Sequence, residues 1–277
     1  NIPKLIKDIE LPRSWQKDLK LYCDDSGIEF MSTPFDERAV DELYNLGVKR
    51  FKIAGFEATD PRFVRHVAAT NLPLIVSAGI GVSLKIVGDI ISWIEKENKD
   101  ADITILHCNN AYPTPIEDIN LLQISRIREE FPHIKIGLSD HTTGILVPPL
   151  AVAMGAQCIE KHYTISNLLP GPDHPFAIEP IELKNMVQNI RLAEKTLTEK
   201  KDKISSSELE YCNAMRSVVA NCNIKKGEPL TFNNVTTKRP FLKNSIPAIE
   251  YYGSIGRISL VDIKEDEILT YDMIQLE

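Results

Sequence analysis

From about residue 28 to residue 197 the chain alternates short β-branched or apolar runs with longer stretches whose apolar positions recur every three to four residues. The runs 28–32 (IEFMS), 50–54 (RFKIA), 73–77 (PLIVS), 102–108 (DITILHC), 135–138 and 157–159 read as strands. A helix over 11–26 precedes the first run, with Trp15, Leu19, Tyr22 and Cys23 as its apolar stripe and Gly27 as its stop. Thr33-Pro34-Phe35-Asp36 starts the next helix, with Thr33 as N-cap, and Gly47 ends it after Leu46. Asp60-Pro61 opens another in the same way, and 84–97 reads as helix. Thr114-Pro115-Ile116-Glu117 carries a capping box, with Ile119, Leu122, Ile127 and Phe131 as the buried face that follows. The segment 145–154 is apolar and Ala-rich, closed by Gly155, and Pro180 with Glu182 opens a long final helix to about Leu197.

Six strand–helix units at near-regular spacing predict an α/β fold with a parallel sheet. The regularity favours a (β/α)8 TIM barrel over an open doubly wound sheet. A closed barrel needs eight units, so residues 1–198 read as an amino-terminally incomplete barrel domain whose first two strands are absent from the chain. Residues 199–213 are charged and Ser-rich and read as a linker. Beyond them, 214–277 is a small β-rich domain with an internal repeat. The stretch starting Asn223-Ile-Lys returns 39 residues later as Asp262-Ile-Lys, each copy followed by a turn, Glu, Leu-Thr and an aromatic residue.

Composition narrows the function. The chain has 277 residues, 43% hydrophobic and 26% charged, with a net charge of −7. That charge gives no electrostatic case for nucleic acid, and an anionic substrate would need local positive charge. The five cysteines are scattered without a CxxC pair, which suits reduced thiols and a cytoplasmic protein. No apolar run approaches the ~18 residues of a transmembrane helix, and the first residues lack the apolar core of a signal peptide.

The candidate chemistry lies at strand ends. The runs 135–138 and 157–159 finish in Ser139-Asp140-His141 and Glu160-Lys161-His162, and neighbouring parallel strands set such ends side by side. One histidine there is ordinarily structural. Two, each beside an acid, point to a metal pair, with Asp140 or Glu160 as an acid that orients the rings. Two imidazoles are too few for a closed zinc site and suit an open one holding Mn²⁺, Mg²⁺ or a similar ion. Lys52 sits inside an apolar run and reads as an inward lysine pairing with an anion. A Schiff-base lysine is the competing reading. Ser77, Asn110 and Ser139 stand at or just after strand ends and would together give neutral donors for a phosphate or carboxylate. Thr33, Tyr112 and Asp173 are candidates whose bland readings are a helix cap, a packing ring and a turn aspartate.

These residues resemble the sialic acid synthase, or N-acetylneuraminate synthase, family. The carriers are Ser32-Thr-Pro-Phe35, Lys52-Ile-Ala with Glu57, Leu106-His-Cys with Tyr112-Pro113, Leu138-Ser-Asp-His-Thr142, Ile159-Glu-Lys-His162, Gly171-Pro-Asp173 and Lys238-Arg-Pro240. From about Met215 the chain is similar to the family's antifreeze-like (SAF) domain. The resemblance implies condensation of phosphoenolpyruvate with N-acetylmannosamine or a related N-acyl amino sugar, giving a nonulosonic acid and phosphate. It also implies a divalent metal, Mn²⁺ foremost with Mg²⁺ or Co²⁺ as others, and a domain-swapped homodimer. By similarity His141 and His162 hold the metal, and Lys52, Ser77, Asn110 and Ser139 contact phosphoenolpyruvate. Thr33, Glu57, Tyr112 and Asp173 serve the sugar side, Lys52, Glu57 and Asp173 act as catalytic groups, and Arg239 reaches the partner's sugar. The chain departs from the family pattern in three places. The first-strand Glu and Asn-His pair and a second-strand lysine are absent. Gly55-Phe56 replaces the usual Ser-Gly before Glu57, and Phe241-Leu242 follows the Arg-Pro pair in place of glycine. A Schiff-base aldolase and a non-catalytic sugar-binding member are the alternatives.

Overall fold

The computed structural model describes residues 10–197 and 203–275. It divides into two compact units, Asn1–Thr198 and Glu199–Glu277.

In the first unit, helices α1 (Gln16–Asp25) and α2 (Glu37–Leu46) precede strand β1 (Phe51–Ile53). There follow α3 (Pro61–Ala68), β2 (Leu74–Ala78), α4 (Leu84–Glu97), β3 (Ile103–Cys108), α5 (Leu122–Glu130), β4 (Lys135–Asp140), α6 (Val147–Ala153), β5 (Cys158–Lys161) and α7 (Pro180–Thr196). The strands form one parallel sheet in the order β1-β2-β3-β4-β5. That sheet is the half-barrel of a (β/α)8 architecture. One face of it carries Phe51, Ile53, Val76, Ile105, Ile136 and Leu138 onto the helices, where they meet Val64, Val67, Ile90, Ile94, Ile124 and Ile127 in the main core. Full burial of such side chains contributes about 1.5–3 kcal/mol each. The other face is the concave interior, and it holds the polar residues of the site.

Several local expectations are corrected. Residues 28–32 make no ladder with β1, so among the described residues of this unit five strands form where six were expected. Ile28 and Met31 remain exposed, and composition alone supplies no partner for a strand's backbone groups. The cap of α2 is Asp36, whose carboxylate accepts from Ala39 N at 2.7 Å, and Thr33 lies outside the helix. A carboxylate one residue before the first helical turn is better placed to accept than a hydroxyl four residues before it. The Thr114 capping box does not form. The Thr114 hydroxyl donates to the carbonyls of Asn109 and Ala111, and α5 begins later with Ile124 and Ile127 buried while Leu122 is exposed. The apolar stripe of α1 buries none of its residues. Asp60 caps α3 ahead of Pro61 as expected, and Glu179 with Glu182 closes a capping box on α7.

In the second unit, β6 (Ser217–Ala220) and β7 (Val235–Lys238) pair antiparallel over a small core of Val218, Ile224, Leu230, Val235, Ile263 and Leu269. The two halves of the repeat meet each other. Ile224 and Ile263 exchange backbone hydrogen bonds of 2.8 Å in both directions. The Lys226 amide donates to Asp262 Oδ1, and the Glu265 amide donates to Asn223 Oδ1, each at 2.9 Å. Glu228 and Glu267 close equivalent turns by accepting from Lys225 N and Lys264 N. The repeat is therefore a pseudo-symmetric pair. Residues 198–202, at the start of the expected linker, lie outside the described residues, and Leu209–Ala214 forms a 3₁₀ turn.

Candidate active site

Strand register builds the site. Ser139 pairs with Glu160 and Asp140 with Lys161, so His141 and His162 leave the sheet as neighbours one residue past the ends of β4 and β5. Their ring centroids are 5.2 Å apart. His141 Nδ1 lies 2.6 Å from the carbonyl of Asn109. A carbonyl only accepts, so Nδ1 carries the proton and Nε2 keeps its lone pair. His162 Nδ1 faces Asp173 Oδ2 at 3.3 Å, while His141 Nε2 has a long 3.5 Å contact with Ser139 Oγ. Burial is the main influence on His162 and lowers its pKa, against Asp173, which raises it. Tyr112 covers both rings, 4.2 Å from His141 and 5.7 Å from His162, and the buried Phe176 packs on His162 at 5.0 Å.

Neither acid beside the histidines orients a ring. Asp140 points to the helix side of the sheet, where it accepts from Thr142 and Lys161. Glu160 points into the interior, where Ser139 Oγ donates to Oε1 at 2.6 Å and Lys52 Nζ lies 3.5 Å from Oε2. The orienting groups are Asn109 and Asp173. Alternation along β5 puts Glu160 on the face of His162, and that signal was available in the sequence.

Lys52 is inward and only 5% exposed. Its Nζ donates to Ser77 Oγ at 2.8 Å and to the Ile53 carbonyl at 3.3 Å. Register places Lys52, Ser77, Cys108, Ser139 and Glu160 on one face, since residues two apart along a strand and residues paired across strands share a side. Asn110 follows β3, and Ile80 N donates to its Oδ1 at 3.1 Å. It fits only because two glycines face it. A Cβ at Gly79 would lie 1.9 Å from Asn110 Oδ1, and one at Gly55 would lie 3.1 Å from Nδ2. Cys108 has its sulfur 3.9 Å from His141 Nδ1, and burial pushes its thiol up to about 11.

The remaining candidates are less closely joined. Glu57 follows β1 and lines a cleft of about 660 Å³ with Arg13, Asp36, Arg38 and Arg62. Its Oε2 is buried without a hydrogen-bond partner, and burial raises its pKa. Thr33 is half-buried in the extended segment before α2. Arg239 belongs to the second unit, where it is exposed and donates from Nε to the Ala214 carbonyl at 2.5 Å.

His141 Nε2 has only a long contact with Ser139 Oγ at 3.5 Å, and the two neighbouring imidazoles fit a divalent ion of borderline hardness. Among the described residues no group of three or more His, Cys, Asp or Glu side chains is gathered as a ready cage. Further positions would fall to water and substrate oxygens, as in an open catalytic site.

A parallel half-barrel with its polar groups at the carboxyl ends of the strands defines the class, an α/β-barrel protein with its site at the usual mouth. Within that class the chain belongs to the NeuB family, whose model matches residues 1–202, and it carries a SAF domain over residues 215–275. It is 38% identical over 268 residues to an N,N'-diacetyllegionaminic acid synthase of Campylobacter jejuni, covering 96% of this chain and 79% of that protein. A pseudaminic acid synthase of the same species is 37% identical over 96% of this chain and 76% of its own length. The solved N-acetylneuraminic acid synthetase of Leptospira borgpetersenii superposes with a TM-score of 0.70 at 33% identity, over 75% of this chain and 72% of that one. Among the described residues no helix is long and apolar enough to cross a membrane.

Proposed function

We propose that the chain is a nonulosonic acid synthase, condensing phosphoenolpyruvate with N-acetylmannosamine or a related N-acyl amino sugar and releasing phosphate. One observation carries the reading. A buried lysine bonded to Ser77 shares one barrel mouth with two neighbouring histidines, of which His141 presents Nε2 to no more than a long 3.5 Å contact with Ser139 Oγ. In the reaction, C3 of phosphoenolpyruvate bonds to the aldehyde carbon of the open-chain sugar, water adds at C2, and the C2–O bond to phosphate breaks. A divalent ion on His141 and His162, Mn²⁺ foremost with Mg²⁺ or Co²⁺ as others, supplies Lewis-acid polarisation of that aldehyde when bound.

The chain's own groups do the rest. Lys52, Ser77, Ser139 and Asn110 bind and orient the acid groups of phosphoenolpyruvate, a dianion that a protein of net charge −7 would otherwise repel. The Asn109 carbonyl keeps the His141 proton on Nδ1, and Asp173 faces Nδ1 of His162. Tyr112 and Phe176 shield the rings from water. In this reading Glu57, a half-buried carboxyl whose pKa burial raises, handles a proton on the sugar side. Thr33, Asp173 and the exposed Arg239 are further sugar contacts in this reading, and the proposal includes a homodimer, checked by light scattering on the full chain.

The test is phosphate release from phosphoenolpyruvate with Mn²⁺ and a panel of N-acyl amino sugars. Sugar-dependent release that stops with EDTA supports the reading, and the best sugar names the product. Absence of release with every sugar, from protein that binds Mn²⁺ and is folded by circular dichroism, overturns it.

A further inference from the structure

Two of the groups assigned to phosphoenolpyruvate, Lys52 and Ser139, face a carboxylate of the chain itself. Ser139 Oγ donates to Glu160 Oε1 at 2.6 Å, and Lys52 Nζ stands 3.5 Å from Glu160 Oε2. Lys52 comes from β1 and Glu160 from β5, the two ends of the sheet, so this ion pair spans the concave interior. The Lys52 side chain is 6% exposed and that of Glu160 is 36% exposed. Glu160 is therefore the more solvent-accessible partner of the pair.

We infer that Glu160 is an internal counter-anion that occupies the acid-binding point of the site, and that the substrate's phosphate or carboxylate takes its place. The inference rests on the proposed function and adds a residue that controls anion affinity. Three physical arguments support it. A buried ammonium without an anion is costly, so the empty site needs a carboxylate. A substrate dianion arriving beside Lys52 meets Glu160 as a like charge, and both cannot hold Ser139 Oγ as a single donor. Glu160 can leave, because its side chain is 36% exposed while Lys52 and Ser77 stay fixed by their own hydrogen bond of 2.8 Å.

The resulting site is self-filling. It keeps Lys52 and Ser139 oriented between turnovers, and it sets a threshold that weak anions do not pass. Preorganised donors usually strengthen binding, but here part of the gain is offset by displacing the resident carboxylate.

The experiment titrates phosphoenolpyruvate, and separately inorganic phosphate, into the full chain by calorimetry, for the native protein and for Glu160→Gln. Glutamine keeps the size and the acceptor for Ser139 but removes the charge. The expected result is tighter binding of both anions, about five- to tenfold, with the gain lost when Lys52→Met is added, as coupled neighbours require. Unchanged or weaker anion binding in Glu160→Gln, with the native protein binding phosphoenolpyruvate, overturns the inference and leaves the proposed function standing. A native protein that binds neither anion removes both. Mn²⁺ affinity is read in parallel by electron paramagnetic resonance. A fall in Mn²⁺ affinity with unchanged phosphate affinity assigns Glu160 to the metal and overturns the counter-anion. Should Glu160→Gln not fold, Glu160→Asp, which retracts the carboxylate from Lys52 by one methylene, is read against the same outcomes.

Discussion

Asp140 and Lys161 stand opposite each other on the β4–β5 ladder, and their side chains meet at 2.7 Å on the helix side of the sheet. They are 0% and 4% exposed. The second Asp140 oxygen accepts from Thr142 N at 2.9 Å and from Thr142 Oγ1 at 2.7 Å, and Lys161 also donates to the Thr142 carbonyl. The pair thus clamps the residues on both sides of His141 to the residue before His162. A buried ion pair is weak support for stability against an apolar replacement, but breaking one partner is expensive. Lys161→Met is expected to cost ~3–5 kcal/mol by urea unfolding, because it leaves Asp140 buried and uncompensated. Adding Asp140→Asn should recover part of that loss, since the amide oxygen still serves Thr142 and no charge remains. A double variant no more stable than Lys161→Met alone would contradict this account.

Lys52 separates the two enzyme chemistries considered for this site. Its amine is already held by Ser77 and faces Glu160, so the reading is an anion-binding lysine. A charge-assisted hydrogen bond is worth ~1.5–3 kcal/mol, which converts to roughly 10- to 100-fold. Lys52→Met should raise KM for phosphoenolpyruvate by that factor while KM for the sugar stays within about twofold. Equal effects on both substrates would indicate a structural lysine. Covalent trapping by borohydride in the presence of a keto acid would favour the Schiff-base reading.

The strands were legible because β2, β3 and β4 are buried on both faces, so composition alone marked them, and His141 and His162 came with the ends. Residues 28–32 have a strand's composition without its ladder, since pairing depends on a neighbour and not on the run itself. Thr33 and Asp36 both suit an N-cap by residue type, and the backbone path after Pro34 decides between them. Glu160 was misassigned for a different reason. It does share the face of His162, but its carboxylate is taken by Ser139 and Lys52 from other strands, which closeness in sequence does not show. The part that Gly55 and Gly79 play around Asn110 was not legible in the sequence, because it is the volume they leave empty.

That volume gives a third prediction. Gly79→Ala places a carbon 1.9 Å from Asn110 Oδ1, and the alternative to a clash is displacement of the amide from Ile80 N. Overpacking of this kind costs ~1–3 kcal/mol. The variant should melt lower and bind phosphoenolpyruvate more weakly, because Asn110 leaves the site. Gly55→Ser meets Asn110 Nδ2 at a milder 3.1 Å and adds a hydroxyl beside it. It should melt within a few degrees of the native protein and lower KM for phosphoenolpyruvate. Identical behaviour of the two variants would show that the cradle does not position Asn110.

Stability should also depend on pH in a definite direction. His107 is buried on the helix side of β3, with Nε2 donating to the Ile119 carbonyl at 2.6 Å. Burial pushes its pKa below the ordinary histidine value, with the Ile119 contact opposing. His162 shifts the same way, burial outweighing Asp173. In the unfolded chain both histidines take up a proton near pH 6.5, whereas in the folded chain they do so only at lower pH. Between those values the unfolded state binds more protons, so the stabilisation is complete above about pH 6.5 and is lost as pH falls towards the folded values. The slope is at most ~1.4 kcal/mol per pH unit for each histidine. Urea midpoints measured from pH 8 down to pH 5 should therefore drop below about pH 6.5. In His107→Gln, where the amide still donates to Ile119, the drop should shrink by the share of one histidine. A midpoint that holds or rises on acidification through this window would mean that neither ring is desolvated as the fold requires.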